Sequence, residues 1–239
     1  MNRLFFSFCK NKTYIFIVAS CLILIFIGFL PLLNLLIEYL NENNLSVSSV
    51  YLFNAMLLPT AFNANGMFFS CIIDICFFCI LLYPVLQVVS FLLIDSSNIT
   101  ILKMGRKKVL TKIIPMIIIE SLVFCVIYFV ILFGFYCIKM NTAFFDNSFI
   151  ISLILKFIIS TLATSTFVFI YILIRDIFFA LLSSISVFLG VSVALNFLSI
   201  HYINETIVFE NVIYIVVFLI VLYVIINLLS IRFIKKIDI

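Results

Sequence analysis

Three ionisable residues, Asp74, Glu120 and Lys156, interrupt long apolar stretches of this 239-residue chain. A charge in an apolar interior is costly, so each of these side chains is expected to face other protein groups and to find a partner. Two carboxylates and one ammonium could form a buried ion pair, or they could line a polar path through the interior. Both kinds of chemistry require structural elements that bring the three residues together.

No pattern typical of an enzyme or a metal site accompanies them. The phosphate-binding motif G-x-x-x-x-G-K-[ST] is absent from the sequence, so the chain is not expected to bind and hydrolyse ATP by itself. His201 is the sole histidine and has only Glu205 nearby, whereas a zinc site needs three or four ligands. Cys76 and Cys79 form a CxxC, but in an apolar run such sulfurs pack as small hydrophobic groups. The sequence therefore predicts no catalytic residue, no metal and no cofactor.

The composition indicates which solvent surrounds the chain. Apolar residues make up 67% of the sequence and charged residues 10%, against roughly 25% charged residues in soluble domains. The mean hydropathy is +1.42, which leaves too little polar surface to cover a soluble globule. We therefore expect a protein embedded in the lipid bilayer. The formal charge of +4 is explained by loops at the membrane surface and does not indicate a nucleic-acid partner.

The apolar stretches predict an all-α, polytopic membrane protein that forms a single transmembrane domain. Each stretch reaches the roughly 20 residues that a helix needs to cross hydrocarbon, and the alternation typical of a membrane β-barrel is absent. A basic segment, 1–12, is expected at the inner interface, although a frayed N-terminus is an equally good interpretation. The six predicted transmembrane helices are 14–37, 67–94, 113–138, 148–174, 177–200 and 212–231.

The positive charges predict the orientation of these helices. With both termini in the cytoplasm, the inner segments hold twelve basic residues and the outer segments hold only Lys139. The opposite orientation would reverse this distribution, against the positive-inside rule. The inner basic residues are Arg3, Lys10, Lys12, Lys103, Arg106, Lys107, Lys108, Lys112, Arg175, Arg232, Lys235 and Lys236.

The orientation places the three intramembrane charges at defined depths. Asp74 and Lys156 lie about seven and about eight residues from the outer ends of their helices, so that an ion pair between them is expected. Such a pair could line a substrate path or could simply fix the packing of two helices, and the second interpretation is favoured. Glu120 lies nearer the cytoplasmic end, where Arg175 could reach it; alternatively, Arg175 pairs with its neighbour Asp176.

The cytoplasmic segment 95–112 combines an apolar edge with a basic cluster. Ile99 and Leu102 predict a short amphipathic helix with Lys103 exposed, and Gly105 is placed to end it. The basic cluster follows at the start of the third transmembrane helix, and Pro115 suits the first turn of that helix. Attraction to anionic lipid explains this arrangement, and so does a helix that docks on a cytoplasmic partner. The cluster consists of Arg106, Lys107, Lys108 and Lys112.

These segments resemble a known family. The basic N-terminus, the six transmembrane stretches, the inner segment ending MGRKKVLTKII and the C-terminal IRFIKKIDI are similar to those of type-two permease subunits of ATP-binding-cassette exporters. The similarity is to the half-size subunits of lantibiotic-immunity, peptide or drug exporters. It implies a bacterial cytoplasmic-membrane protein, a second permease subunit (the same chain or another), and separate ATPase subunits docked on residues 97–108. The short outer segment 201–211 departs from the longer outer helices of many relatives.

Two functions follow as hypotheses. The first is an exporter permease for a hydrophobic or amphipathic substrate such as a peptide, an antibiotic or a lipid-like molecule, driven by the separate ATPase. In that case Ile99, Leu102, Lys103, Arg106, Lys107 and Lys108 are the candidate docking residues. The alternative is a non-transport immunity or assembly factor that binds a partner within the bilayer. A secondary transporter is disfavoured because inverted repeats and coupling-ion ligands are not evident.

Overall fold

The computed structural model describes residues 64–93, 106–140, 147–200 and 209–237, together with isolated positions between 15 and 34. Every described residue is helical except Arg175 and Asp176, which form the turn between two helices. The predictions for 1–12, for most of 14–37, for 95–105 and for most of 201–211 fall outside the described residues. The five continuous helices are α1 (Ala64–Leu93), α2 (Arg106–Met140), α3 (Asn147–Ile174), α4 (Ile177–Ile200) and α5 (Phe209–Ile237).

Four of the described helices are long and apolar enough to cross a membrane. Their apolar segments are Leu110–Ile131, Leu153–Ile174, Ile177–Ala194 and Ile213–Ile234, and α1 carries a shorter one, Cys71–Leu86. The chain is therefore all-helical in its described part and suited to a bilayer. Each of the five helices coincides with one of the transmembrane stretches expected from hydropathy, because a helix satisfies its backbone hydrogen bonds within its own segment.

Helix α3 lies at the centre of the bundle. Of its membrane segment, 72% is buried, against 11% of the corresponding segment of α5. It packs against each of the other four helices, whereas α2, α4 and α5 expose apolar faces. Those exposed faces suit contact with lipid tails. Most of α3 contacts protein instead, so the polar residues of α3 must be accommodated by the other helices.

The turn between α3 and α4 is only two residues long. Arg175 adopts a positive φ of 58°, a conformation that glycine usually supplies at the end of a helix. Its backbone N–H donates to the carbonyl oxygen of Tyr171 at 3.0 Å. Asp176 then caps α4, because its carboxylate accepts the backbone N–H of Phe178 at 2.7 Å and that of Phe179 at 3.3 Å. This turn fixes α3 and α4 as antiparallel neighbours.

Helix α2 begins earlier than the apolar run within it. It starts at Arg106, so the placement of Pro115 in the first helical turn is wrong: Pro115 lies inside the helix. Arginine, lysine and leucine favour helix, and the helix therefore extends beyond the membrane segment through the basic residues. Within this extension the hydroxyl of Thr111 donates to the carbonyl oxygen of Lys108 at 2.9 Å. The basic cluster is thus continuous with a membrane helix.

Candidate functional site

Helices α1 and α3 bring Asp74 and Lys156 into contact. The side-chain ammonium of Lys156 donates to Oδ1 of Asp74, and the two residues form the ion pair that their depth and charge had suggested. The pair is enclosed by protein, since the side chain of Lys156 is 0% exposed and that of Asp74 is 2% exposed. Both charges are therefore neutralised inside the bundle rather than by water or lipid headgroups.

Three aromatic rings surround the ammonium of Lys156. Its Nζ atom lies 5.0 Å from the ring centre of Phe188 and 5.8 Å from those of Phe77 and Tyr128. Phe77 and Tyr128 also pack on each other, with their ring centres 4.4 Å apart. The negative faces of aromatic rings attract an ammonium group, by about 2 kcal/mol each where the cation is desolvated. We call Asp74, Phe77, Tyr128 and Phe188 the aromatic cage.

The aromatic cage does not use all of its hydrogen-bonding capacity. Within the described part of the chain, Oδ2 of Asp74 and the hydroxyl of Tyr128 are buried without a hydrogen-bond partner. An ammonium has three N–H donors, of which one is directed to Asp74. Buried polar atoms are nearly always paired, but the described helices hold other unpaired ones, such as the carboxylate oxygens of Glu120, so this feature is not confined to the aromatic cage.

A column of hydroxyl groups continues from Lys156 along α3. Ser160 and Thr164 follow at intervals of four residues, which places them on the same face of the helix. Each donates to the carbonyl oxygen four residues earlier at 2.7 Å. On α2, the thiol of Cys125 lies 3.8 Å from the hydroxyl of Ser160. Polar side chains of α2 and α3 therefore meet at this point of the interface between the two helices.

Sequence reasoning missed this column, although the spacing was visible. Hydroxyl residues are tolerated in membrane helices because they bond to their own backbone, so they were not distinguished from the surrounding apolar residues. The aromatic cage was missed as well. Its members come from α1, α2 and α4, and no local pattern marks them among the thirty phenylalanines and ten tyrosines of the chain.

Glu120 is buried apart from the ion pair. It is 3% exposed, and neither carboxylate oxygen has a hydrogen-bond partner within the described helices. The structure does not bring Arg175 to it, since Arg175 is exposed at the α3–α4 turn. The alternative pair, Arg175 with Asp176, is not formed among the described residues either; the carboxylate of Asp176 accepts backbone N–H groups at the start of α4. With Cys125 opposite Ser160 in antiparallel helices, Glu120 lies at about the level of Ser165, roughly 13 Å along α3 from Lys156.

The candidate docking residues are described only in part. Ile99, Leu102 and Lys103 lie outside the described residues. Arg106, Lys107 and Lys108 form the start of α2, and the side chain of Lys108 is exposed. The docking role of all six residues therefore stays a prediction.

Comparison with known proteins identifies no relative. No protein-family model, no curated protein and no solved structure matches the chain. Within the described residues there is also no group of three histidine, cysteine or acidic side chains that could hold a metal ion. Function must therefore be argued from the helices and from the buried charges.

Proposed function

We propose that the chain is the membrane-spanning permease subunit of an ATP-binding-cassette exporter, acting with a second permease subunit and a separate ATPase. It crosses the bacterial cytoplasmic membrane six times, with both termini in the cytoplasm, and moves a hydrophobic or amphipathic substrate. The similarity of its segments to such permeases supports this proposal, as does the charge distribution along the chain.

The observation that carries the proposal is the continuity of α2. This helix runs unbroken from the basic residues at Arg106 to Met140, and its buried face contributes Tyr128 to the aromatic cage. The distance between Arg106 and Tyr128 is about 33 Å along a straight helix axis. A partner that moves the basic end of a single helix also moves the side chains on its buried face. ATP hydrolysis in a docked subunit can therefore act on the interior through α2.

Charge reversal at the start of α2 tests the proposal. The double substitution Arg106→Glu with Lys107→Glu is expected to abolish copurification of a phosphate-loop ATPase from mild detergent and to abolish ATP-dependent export. The matched control, Lys235→Glu with Lys236→Glu, makes the same change of charge at the end of α5 and is expected to retain the ATPase. Normal docking and coupled transport in the α2 variant would contradict the assigned contact.

The wild-type protein distinguishes the alternative function. An immunity or assembly factor acts without an ATPase, so it would purify alone and would keep its cellular phenotype in a strain that lacks the partner gene. That pair of results would replace the permease proposal.

A further inference from the structure

The aromatic cage and its occupant belong to different helices. Asp74 and Phe77 come from α1, Tyr128 from α2 and Phe188 from α4, whereas Lys156 alone comes from α3. A displacement of α3 relative to α1 therefore separates the ammonium from the carboxylate, and a movement of α2 shifts the ring of Tyr128 beside it. The group that occupies the aromatic cage is therefore attached to a different helix from the residues that form the cage.

The chemistry of the aromatic cage selects its ligand. One carboxylate and three ring faces attract an organic cation, and the group that occupies the aromatic cage, the side chain of Lys156, is itself a primary ammonium. An anion would meet the charge of Asp74 and the negative ring faces. A neutral ligand would leave the charge of Asp74 unpaired in an apolar interior, which is strongly destabilising. Exchange of one ammonium for another conserves the charge of the site.

We propose that Asp74, Phe77, Tyr128 and Phe188 form an ammonium-binding site that Lys156 occupies as an internal ligand, and that the primary ammonium group of the transported molecule replaces Lys156 when α3 moves. The identification of the ligand as cargo rests on the proposed function. The existence of the ammonium site does not.

A free oxygen of Asp74 offers a ligand a further hydrogen bond. A buried ion pair offsets the cost of desolvation best when its remaining lone pairs are satisfied. Oδ2 of Asp74 is buried without a partner among the described residues. A ligand ammonium with three N–H donors can donate to this oxygen as Lys156 leaves Oδ1.

Chemical rescue tests the ammonium site directly. Lys156→Ala deletes the three terminal methylene groups and the ammonium, which together correspond to n-propylammonium. Added to the purified full-length variant at tenfold its dissociation constant, n-propylammonium is expected to raise the midpoint of thermal unfolding by about 3–6 °C. The neutral isostere n-propanol is expected to give no such shift. The wild-type protein, whose site is occupied, is expected to respond to neither.

The double variant Asp74→Asn with Lys156→Ala is the matched control, because it retains the space but lacks the carboxylate. An equal response of this variant, an equal response to n-propanol, or no response of Lys156→Ala would each overturn the proposal. Where Lys156→Ala is recovered poorly, the readout is the fraction that elutes as a single species after solubilisation with or without n-propylammonium. A several-fold gain supports the site, and no gain overturns it.

Transport measurements test the ligand as cargo. In the complex with its ATPase, dodecylammonium is expected to stimulate ATP hydrolysis several-fold over dodecanol, and Asp74→Asn is expected to remove the difference. Equal stimulation by both amphiphiles would contradict ammonium as the substrate class. If no ATPase copurifies but rescue of Lys156→Ala succeeds, the proposed function fails and the ammonium site stands.

Discussion

Asp74 and Lys156 each place a charge within a membrane helix, and the charge makes insertion of an isolated helix less favourable. Experimental insertion scales assign roughly 2.5–3.5 kcal/mol to a charged residue at the centre of a membrane helix. In the bundle each charge is compensated by the other, and the three rings stabilise the ammonium. Either charge alone should therefore reduce the stability of the protein more than the two charges do together.

Removing one member of the pair is expected to destabilise the protein more than removing both. Asp74→Asn or Lys156→Met leaves a buried charge without its partner and is expected to lower the free energy of unfolding by about 3–5 kcal/mol. The double variant has no buried charge at this site and should recover most of that loss. Thermal unfolding of the four proteins in detergent gives the coupling energy, and strictly additive effects would contradict the pairing.

Glu120 presents the opposite case, a buried carboxyl without a partner in the described helices. Its side chain is expected to reduce stability, because polar groups lose hydration on burial and gain no bond in return. Glu120→Met retains the size and removes both oxygens, so it is expected to raise the free energy of unfolding by about 1–3 kcal/mol. Glu120→Gln keeps two polar atoms and should give little gain. A loss of stability in Glu120→Met would show that a residue beyond the described helices holds the carboxyl.

Among the described helices, α3 carries half of the buried polar residues. Lysine, serine and threonine occupy its buried face, and the hydroxyls bond to the backbone of the same helix. This local bonding lets the helix remain regular while it is surrounded on all sides by other helices. Its exact position then depends on its ends, and the two-residue turn to α4 sets one of them.

Two substitutions at that turn are expected to change stability in opposite directions. Arg175→Gly relieves the positive φ of a residue with a side chain and should stabilise the protein by roughly 0.5–1 kcal/mol. Asp176→Ala removes the cap of α4 and should destabilise it by about 1 kcal/mol. Thermal unfolding measures both. Effects of the same sign would contradict the conformation of the turn.

Apart from Lys156, basic residues lie at the ends of the described helices, and apolar residues cover the surface between these ends. Helices α2 and α5 contact each other, and the start of α2 and the end of α5 both carry basic residues, as expected if both ends face the same aqueous side. The exposed surface between the ends is dominated by isoleucine, valine, leucine and phenylalanine. This pattern suits a bilayer around the bundle and headgroups or a docked protein at its basic end.

Labelling from one side of the membrane tests the orientation that the charges predict. In a variant without the native cysteines, Thr142→Cys is expected to react with a membrane-impermeant maleimide added to intact cells. Lys236→Cys should react only after the membrane is opened, because the positive-inside rule assigns the end of α5 to the cytoplasm. Labelling of Lys236→Cys in intact cells would reverse the assignment of every segment.

By itself, the sequence predicted the five described helices with their approximate bounds, and helices suited to a membrane. These properties depend on hydropathy summed over about 20 residues and on hydrogen bonds made within each helix, so they are local. The depth and the sign of Asp74 and Lys156 were equally accessible, because depth follows from a constant rise per residue.

Only the tertiary structure decided that α3 is central, that Phe77, Tyr128 and Phe188 converge on Lys156, and that Arg175 does not reach Glu120. These facts depend on the rotation of each helix about its axis and on its choice of neighbours. Both are settled by packing between segments far apart in the chain. A membrane helix is apolar on every side, so its sequence pattern does not show which face packs against which neighbour.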